Sequence, residues 1–134
     1  MRRRELSVTT GSNRFVDLTA DVEAFVGEVP TDGLVQVFVP HATAGLALFE
    51  TGAGTEQDLA ETLDRLLPRD DRWTHRHGSP GHGADHVLPA LVAPSLTIPV
   101  ANGRMMLGTW QSIVLVDPNV DNPERRVILT LVPG

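Results

Sequence analysis

Short apolar runs separated by turn residues dominate the second half of the chain and constrain its fold more than any other feature. The runs lie at residues 95–100, 104–107, 110–116 and 126–132. In the last run Val127, Leu129 and Leu131 alternate with other residues, which predicts a strand with one buried face. Asn102-Gly103 stands between two of the runs, and Asn-Gly in such a place is a strong hairpin signal. The pattern therefore predicts antiparallel sheet.

The first half of the chain predicts further strands. Segments 6–10 and 14–18 flank the polar turn 11–13, an arrangement that predicts an N-terminal hairpin. The run 34–39 is largely apolar and β-branched, as strands that are covered on both faces usually are. Together with the C-terminal runs, these segments give six or seven strands.

Helical periodicity is present in three places. A first helix follows Thr19, its expected cap, and carries an apolar stripe formed by Val22, Phe25, Val26 and Val29. A second helix starts at Thr55 and stops at Pro68, and a short third helix spans 85–92. A chain of 134 residues has the length of about one domain, and we find no linker in it. We predict a single compact α+β domain over residues 1–134, dominated by antiparallel, sandwich-like β-sheet with two or three helices.

Composition excludes several classes of protein. The net charge is −6, from 17 acidic and 11 basic residues, so most of the surface repels a nucleic-acid backbone. No apolar run approaches the ~20 residues of a membrane-spanning helix, and the residues after Arg2-Arg3-Arg4 are too polar for a signal peptide. We expect a cytoplasmic chain that binds neither nucleic acid nor membranes. Cysteine is absent, so any metal must be held by imidazole or carboxylate groups.

All histidines fall in two places. His41 directly follows the apolar strand 34–39, and the others are His75, His77, His82 and His86. In one interpretation His41 is a buried neutral side chain and the later histidines lie in solvent. In the other, His41 meets two of the later histidines, because three neutral imidazoles can hold a zinc-like ion and leave a position open. His82 and His86 have the spacing of one helix face, although spacing alone does not define a site.

Four further residues are suited to binding an anion or orienting a ligand. Thr43 lies among small residues past the strand, which predicts either a backbone nest for an anion or an ordinary tight turn. Glu50 is either a carboxylate that orients an imidazole or a solvated strand end. Arg125 and Arg126 follow a turn, and they either clamp a phosphate or carboxylate or lie at the surface.

Five short segments occur in order along the chain. They are residues 41–46 (His-Ala-Thr-Ala-Gly-Leu), 84–86 (Ala-Asp-His), 95–100 (Ser-Leu-Thr-Ile-Pro-Val), 107–111 (Leu-Gly-Thr-Trp-Gln) and 125–127 (Arg-Arg-Val). In this order they resemble the YjbQ family, also called the secondary thiamine-phosphate synthase family. The Leu-Gly-Thr-Trp-Gln segment, with the histidine segment upstream, is specific. The resemblance covers essentially the whole chain.

The resemblance implies a mostly antiparallel β fold, assembled as a homotrimer, with a histidine-lined active site that binds a divalent, zinc-like metal ion. The metal ligands that it implies are His41, His75 and His86. The implied catalytic residues are His41, Glu50 and Thr43. The implied substrate contacts are Arg125, Arg126, Trp110, Gln111 and Trp73. Three residues depart from the family's pattern: Ala42 replaces a hydroxyl residue, Trp73 replaces Tyr, and His82 replaces Asn and is therefore not counted among the ligands.

The activity implied is thiamine-phosphate synthesis, which joins a pyrimidine methyl pyrophosphate to a thiazole phosphate with loss of pyrophosphate. Such a reaction needs a divalent ion and basic side chains to stabilise the departing pyrophosphate. The chain has no Asp-rich magnesium motif, so we expect the synthase reaction as a side activity of a site for another small phosphorylated or anionic metabolite. Two alternatives stay open: a metal-dependent hydrolase of a small phosphate ester or amide, and a trimeric module that binds a small anion without catalysis.

Overall fold

The computed structural model describes all residues 1–134 as eight strands and three helices. In chain order they are β1 (Arg2–Thr9), β2 (Phe15–Asp17), α1 (Thr19–Val26), β3 (Gly33–Phe38), β4 (Gly45–Phe49), α2 (Thr55–Leu66), α3 (His82–Leu91), β5 (Ser95–Ala101), β6 (Arg104–Met105), β7 (Ser112–Val116) and β8 (Glu124–Pro133). None of the helices has the length and apolar character that crossing a membrane requires.

The strands form two antiparallel sheets. The larger sheet has the order β1-β8-β3-β5-β6, and the smaller has the order β2-β7-β4. Strand β8 pairs with β1 on one side and with β3 on the other, with Val37 opposite Leu129. The Asn102-Gly103 turn between β5 and β6 uses positive φ at both residues, as predicted for an Asn-Gly hairpin. The predicted α+β class with dominant antiparallel sheet is confirmed.

The main core lies between the two sheets and α1. It is a cluster of 17 buried apolar residues that includes Val35 and Val37 of β3, Leu129 of β8, Leu115 of β7 and Phe25 of α1. The alternation predicted for the last strand is confirmed, because Val127, Leu129 and Leu131 are all buried. Burying these side chains removes a large apolar area from water, which is the main source of the fold's stability.

A second, smaller core covers the other face of the small sheet. Leu63 and Leu67 from the α2 region meet Ala84 and Leu88 of α3 over Val116 of β7. This layer fixes α3 against the sheet. As a consequence, the N-terminal turn of α3 lies beside the loop that joins β7 to β8, and the candidate site is built there.

Several local predictions were wrong, and in each case long-range packing prevailed over the local signal. The predicted N-terminal hairpin does not form, because β1 pairs with β8 and β2 pairs with β7. Thr19 does not cap α1; its hydroxyl accepts a hydrogen bond from the Ile113 N–H, and the Thr19 N–H donates to Asp17 Oδ1. Val29 lies beyond α1 and is exposed.

Three further differences concern element bounds and burial. Strand β3 is covered on one face only, because Leu34 on its other face is 45% exposed. Helix α3 begins at His82, three residues before the predicted start. Strand β7 begins at Ser112, so Trp110 lies in the preceding turn instead of in the strand.

The glycine of the His-Ala-Thr-Ala-Gly segment has a packing role. A Cβ added to Gly45 would lie 2.0 Å from the Val92 carbonyl oxygen, so β4 can pass the end of α3 only with glycine there. We expect Gly45→Ala to lower the free energy of unfolding by about 1–3 kcal/mol, the usual cost of overpacking. Urea unfolding measures it. Gly108→Ala is the control, because there a Cβ meets only the flexible Gln111 side chain; equal losses in the two variants would contradict the prediction.

Candidate metal centre

Three histidines converge at the start of α3. His75, His82 and His86 each offer one ring nitrogen, and these three atoms all lie within 4.8 Å of one another. His82 and His86 are one helical turn apart and so project from the same face of α3. The His75 ring stacks on the His86 ring at a centroid distance of 4.0 Å. We call these three residues the histidine centre.

Glycines around the start of α3 allow His75 to reach the helix. Gly81, just before α3, has a left-handed φ of +89°, which permits the sharp entry into the helix. A Cβ on Gly83 would lie 2.4 Å from the His75 carbonyl oxygen and 2.6 Å from the Trp73 Cβ. The loop backbone at 73–75 therefore packs directly on the first turn of α3, which brings the His75 ring beside those of His82 and His86.

Asp121 orients His82. Its Oδ2 lies 2.8 Å from His82 Nδ1, and because a carboxylate only accepts, Nδ1 carries the proton. The other ring nitrogen of His82, Nε2, then carries a lone pair, and it accepts a hydrogen bond from His86 Nε2, 3.0 Å away. Hydrogen bonds from the Ser79 hydroxyl and from His82 hold the pKa of Asp121 down at about 2, so the carboxylate stays charged. A carboxylate behind an imidazole is the arrangement that fixes a metal-binding histidine.

Two imidazoles of the histidine centre, those of His75 and His86, favour the neutral form. Desolvation is the largest cause that lowers the pKa of His75 below its ordinary value, followed by His77 and His82. Desolvation also lowers the pKa of His86, followed by His75, His82 and His77. Neutral imidazole is the form that binds a metal ion, so the lowered pKa of His75 and of His86 favours the metal-binding form of these two rings.

Acid is expected to destabilise the metal-free protein. Because the folded pKa of His75 and of His86 lies below the ordinary value of 6.5, the unfolded chain binds more protons just below that pH, and stability falls as the pH drops. The urea midpoint of EDTA-treated protein should be lower at about pH 5.5 than at about pH 7.5. The double variant His75→Ala/His86→Ala should show a smaller fall, and an equal fall in both proteins would contradict this prediction.

His77 lies beside the histidine centre without belonging to it. Its ring centroid is 4.3 Å from that of His75 and 4.6 Å from that of His82, but 6.5 Å from that of His86. The side chain is exposed. His77 is therefore a neighbouring imidazole at the open side of the centre.

The structure places His41 outside the histidine centre. The third histidine beside His75 and His86 is His82, where the sequence analysis gave His41. His41 Nε2 accepts a hydrogen bond of 3.0 Å from the Arg126 backbone N–H, so its ring faces the start of β8. Burial, followed by the charges of Arg125 and Arg126, lowers the pKa of His41. Strand β3 ends at Phe38, three residues before His41.

Arg125 forms a buried ion pair with Asp117 and also binds Thr43. Arg125 donates to both carboxylate oxygens of Asp117, at 2.6 and 3.0 Å, and to the Thr43 hydroxyl at 2.8 Å. Only 3% of Arg125 and 2% of Asp117 is exposed. The Arg125 guanidinium therefore binds Asp117 and Thr43 in this structure, whereas the resemblance implied that it contacts the substrate.

The remaining predicted site residues are dispersed. Arg126 is exposed and lies 3.6 Å from Glu5, and Glu50 is exposed at the end of β4. Gln111 closes its own turn by accepting from the Gly108 N–H at 2.8 Å. Trp110 is 71% exposed in that turn. Trp73 packs in the second core, and its indole N–H donates to the Pro68 carbonyl at 2.8 Å.

Three residues of the site were missed from the sequence. His82 was set aside although its spacing to His86 on a helix face was the available signal. Asp121 and Asn119 lie in the turn 118–123, and nothing in the sequence connects that turn with α3. Only the packing of α3 beside the β7–β8 loop brings them to the histidines.

The fold and the site define a small antiparallel α+β protein with a three-histidine centre at a helix start. The profile described as "UPF0047 protein YjbQ-like" matches residues 4–134, and the chain belongs to that family. The resemblance seen in the sequence is thus confirmed.

Relatives match over nearly the full chain. A UPF0047 protein of Mycobacterium bovis is 64% identical over 129 residues, covering 96% of this chain and 99% of that protein. UPF0047 protein YugU of Bacillus subtilis is 34% identical, covering 94% of each chain. The crystal structure of hypothetical protein APE1520 from Aeropyrum pernix K1 has a TM-score of 0.88 at 30% identity and covers 100% of both chains.

Proposed function

We propose that the chain is a divalent-metal enzyme that acts on the phosphoryl group of a small metabolite, with the ion held by His75, His82 and His86. The observation that carries the proposal is the convergence of three imidazole nitrogens within 4.8 Å, one of them on a ring oriented by Asp121.

The donor set fits a zinc-like ion. All three donors are imidazole nitrogens, which suit zinc and its neighbours better than magnesium, whose preferred ligands are oxygens. Nitrogens bound at about 2.0–2.1 Å to one tetrahedral ion lie about 3.3–3.4 Å apart. The 3.0 Å between the Nε2 atoms of His82 and His86 is within a small side-chain movement of that spacing. A bound ion of this kind supplies Lewis acidity, polarising a phosphoryl oxygen.

The pocket beside the histidine centre is small and polar. Its volume is about 110 Å³, and none of its lining residues is hydrophobic. Arg76 and Ser79 line it together with His77. Arg76 brings a positive charge towards a phosphoryl group, and His77, outside the ligand set, can give or take a proton at the bound group.

The resemblance implies the thiamine-phosphate synthase reaction, and the geometry of one chain favours a second candidate. The synthase reaction calls for an apolar or aromatic wall beside the pyrimidine, but Trp73 packs into the second core and Trp110 lies in the turn before β7. The pocket admits a group of phosphoryl size and little more. Hydrolysis of a small phosphate ester needs only that group and water, so it is the second candidate function.

Metal-stripped protein reconstituted with zinc, manganese or magnesium tests the proposal. Pyrophosphate release from the two synthase substrates measures the first reaction, and phosphate release from p-nitrophenyl phosphate measures the second. We expect one of them to appear with metal, to vanish with EDTA and to be absent from His86→Ala. Phosphate binding without any turnover would support the anion-binding module instead, and turnover that survives metal removal would overturn the proposal.

We propose the homotrimer that the resemblance implies as the assembly of this chain, and the cytoplasm as its location. Light scattering on purified protein tests whether the chain is a trimer. A mass of three chains supports it, and a mass of one chain contradicts it.

A further inference from the structure

We infer that Asn119 is a positioning residue for the histidine centre: it holds Asp121 and α3 together so that His82 presents Nε2 and not Nδ1 to a ligand. The expected effect on metal affinity rests on the proposed function. The hydrogen bonds from which the inference is argued are formed within the protein and involve no metal. Asn119 is 1% exposed and lies in the loop between β7 and β8.

Both ends of the Asn119 side chain are used. Its Oδ1 accepts from the backbone N–H of Asp121 at 3.1 Å and of Asn122 at 3.2 Å. Its Nδ2 donates to Asp85 Oδ2 at 2.9 Å and lies 3.4 Å from His82 Nδ1. A buried amide whose oxygen and nitrogen are both bonded has one orientation, because a flip would place donors against donors.

Each end fixes one member of the Asp121–His82 pair. The Oδ1 bonds set the backbone at Asp121, and so the direction from which its carboxylate meets His82 Nδ1. The Nδ2 bond fixes Asp85, which lies on α3 between His82 and His86 and is also bound by both terminal nitrogens of Arg69. Asn119 therefore sets the position of the carboxylate relative to the helix that carries the imidazole.

The backbone of Asn119 is also held by a hydrogen bond. Its backbone N–H donates to Asp117 Oδ1 at 3.1 Å, and Asp117 is held by Arg125, which also binds Thr43. One continuous network thus runs from Thr43 and Arg125 to the histidine centre. The buried Arg125 therefore acts on the site indirectly, because it stabilises the β7–β8 loop, and this loop carries the Asp121 that orients His82.

The test compares Asn119→Ala with Asn119→Asp, and uses Asn122→Ala as the matched control from the same loop. Asn122 donates to Asn119 Oδ1 but has no contact with His82. The first readout is the tautomer of His82 in metal-free protein, from nitrogen-15 chemical shifts at about pH 8, where imidazoles are neutral. The second is zinc affinity, titrated against a chelating dye.

We expect wild type and Asn122→Ala to show His82 with its proton on Nδ1. Asn119→Ala should show a mixture of tautomers and bind zinc about 10–100-fold more weakly. Asn119→Asp keeps the volume and Oδ1 but puts a carboxylate against Asp85 and an acceptor 3.4 Å from His82 Nδ1, so it should keep the proton on Nδ1 and still bind zinc more weakly. Its zinc affinity tests the inference if the alanine variant does not fold.

A merely structural role for Asn119 would lower the melting temperature and leave the tautomer and the zinc affinity of the folded protein unchanged. That result in a folded Asn119 variant would overturn the inference. If wild type binds no zinc, the proposed function fails, while the tautomer comparison still decides the role of Asn119.

Discussion

His86→Ala protein is expected to lose the divalent ion that we propose for the wild-type protein, with occupancy falling from about one ion per chain to near zero. Three imidazoles are the whole protein donor set, and two of them hold an ion far more weakly than three. His86 lies at the middle of the set, with its ring against His75 and its Nε2 3.0 Å from that of His82. Elemental analysis of dialysed protein measures the occupancy.

His41→Ala is the matched control for that measurement. His41 is also a partly buried histidine with a lowered pKa, but it faces Arg126 and not the histidine centre. Its variant should retain the ion at the wild-type level. Loss of metal from His41→Ala as well as from His86→Ala would favour the ligand set predicted from the sequence, and retention of metal in His86→Ala would contradict both sets.

Arg125→Leu is expected to produce the largest loss of stability of any single substitution considered. Removing the guanidinium leaves Asp117 as an unpaired charge that is 2% exposed, and it also frees the Thr43 hydroxyl. Breaking one side of a buried ion pair costs about 3–5 kcal/mol of unfolding free energy. Urea denaturation followed by circular dichroism measures the change.

The neighbouring arginine supplies the control. Arg126 has the same side chain one position along β8, but it is exposed and only loosely paired with Glu5. Arg126→Ala should change the free energy of unfolding by no more than about 0.5 kcal/mol. Similar losses in the two variants would show that Arg125 is not part of a buried pair.

The sequence predicted the parts of the fold where local pattern and tertiary packing agree. The alternation in β8, the Asn102-Gly103 turn and the start of α2 at Thr55 all formed where they were expected. It failed for β1 and β2, because the polar turn at 11–13 is equally compatible with strands that belong to different sheets. Which strand a segment pairs with is decided by residues more than a hundred positions away, such as Glu124 opposite Thr9.

For the site, too, the prediction was limited to residues that are close together in the sequence. The resemblance implied that His75 and His86 share one site, and these two residues lie together in the structure. The expectation that His41 joins them depended on the strand's alternation continuing through Pro40, but β3 ends at Phe38 and His41 bonds to the Arg126 backbone N–H. Asp121 and Asn119 could not be connected with the histidines, because their contacts exist only once α3 packs beside the β7–β8 loop.

The central claim is that His75, His82 and His86 bind one divalent ion, and X-ray absorption at the zinc edge on zinc-loaded wild-type protein tests it most directly. The account predicts three imidazole nitrogens at about 2.0–2.1 Å with the multiple scattering typical of histidine rings, and a remaining shell of light atoms. A spectrum without imidazole scattering, or with oxygen neighbours only, would contradict it.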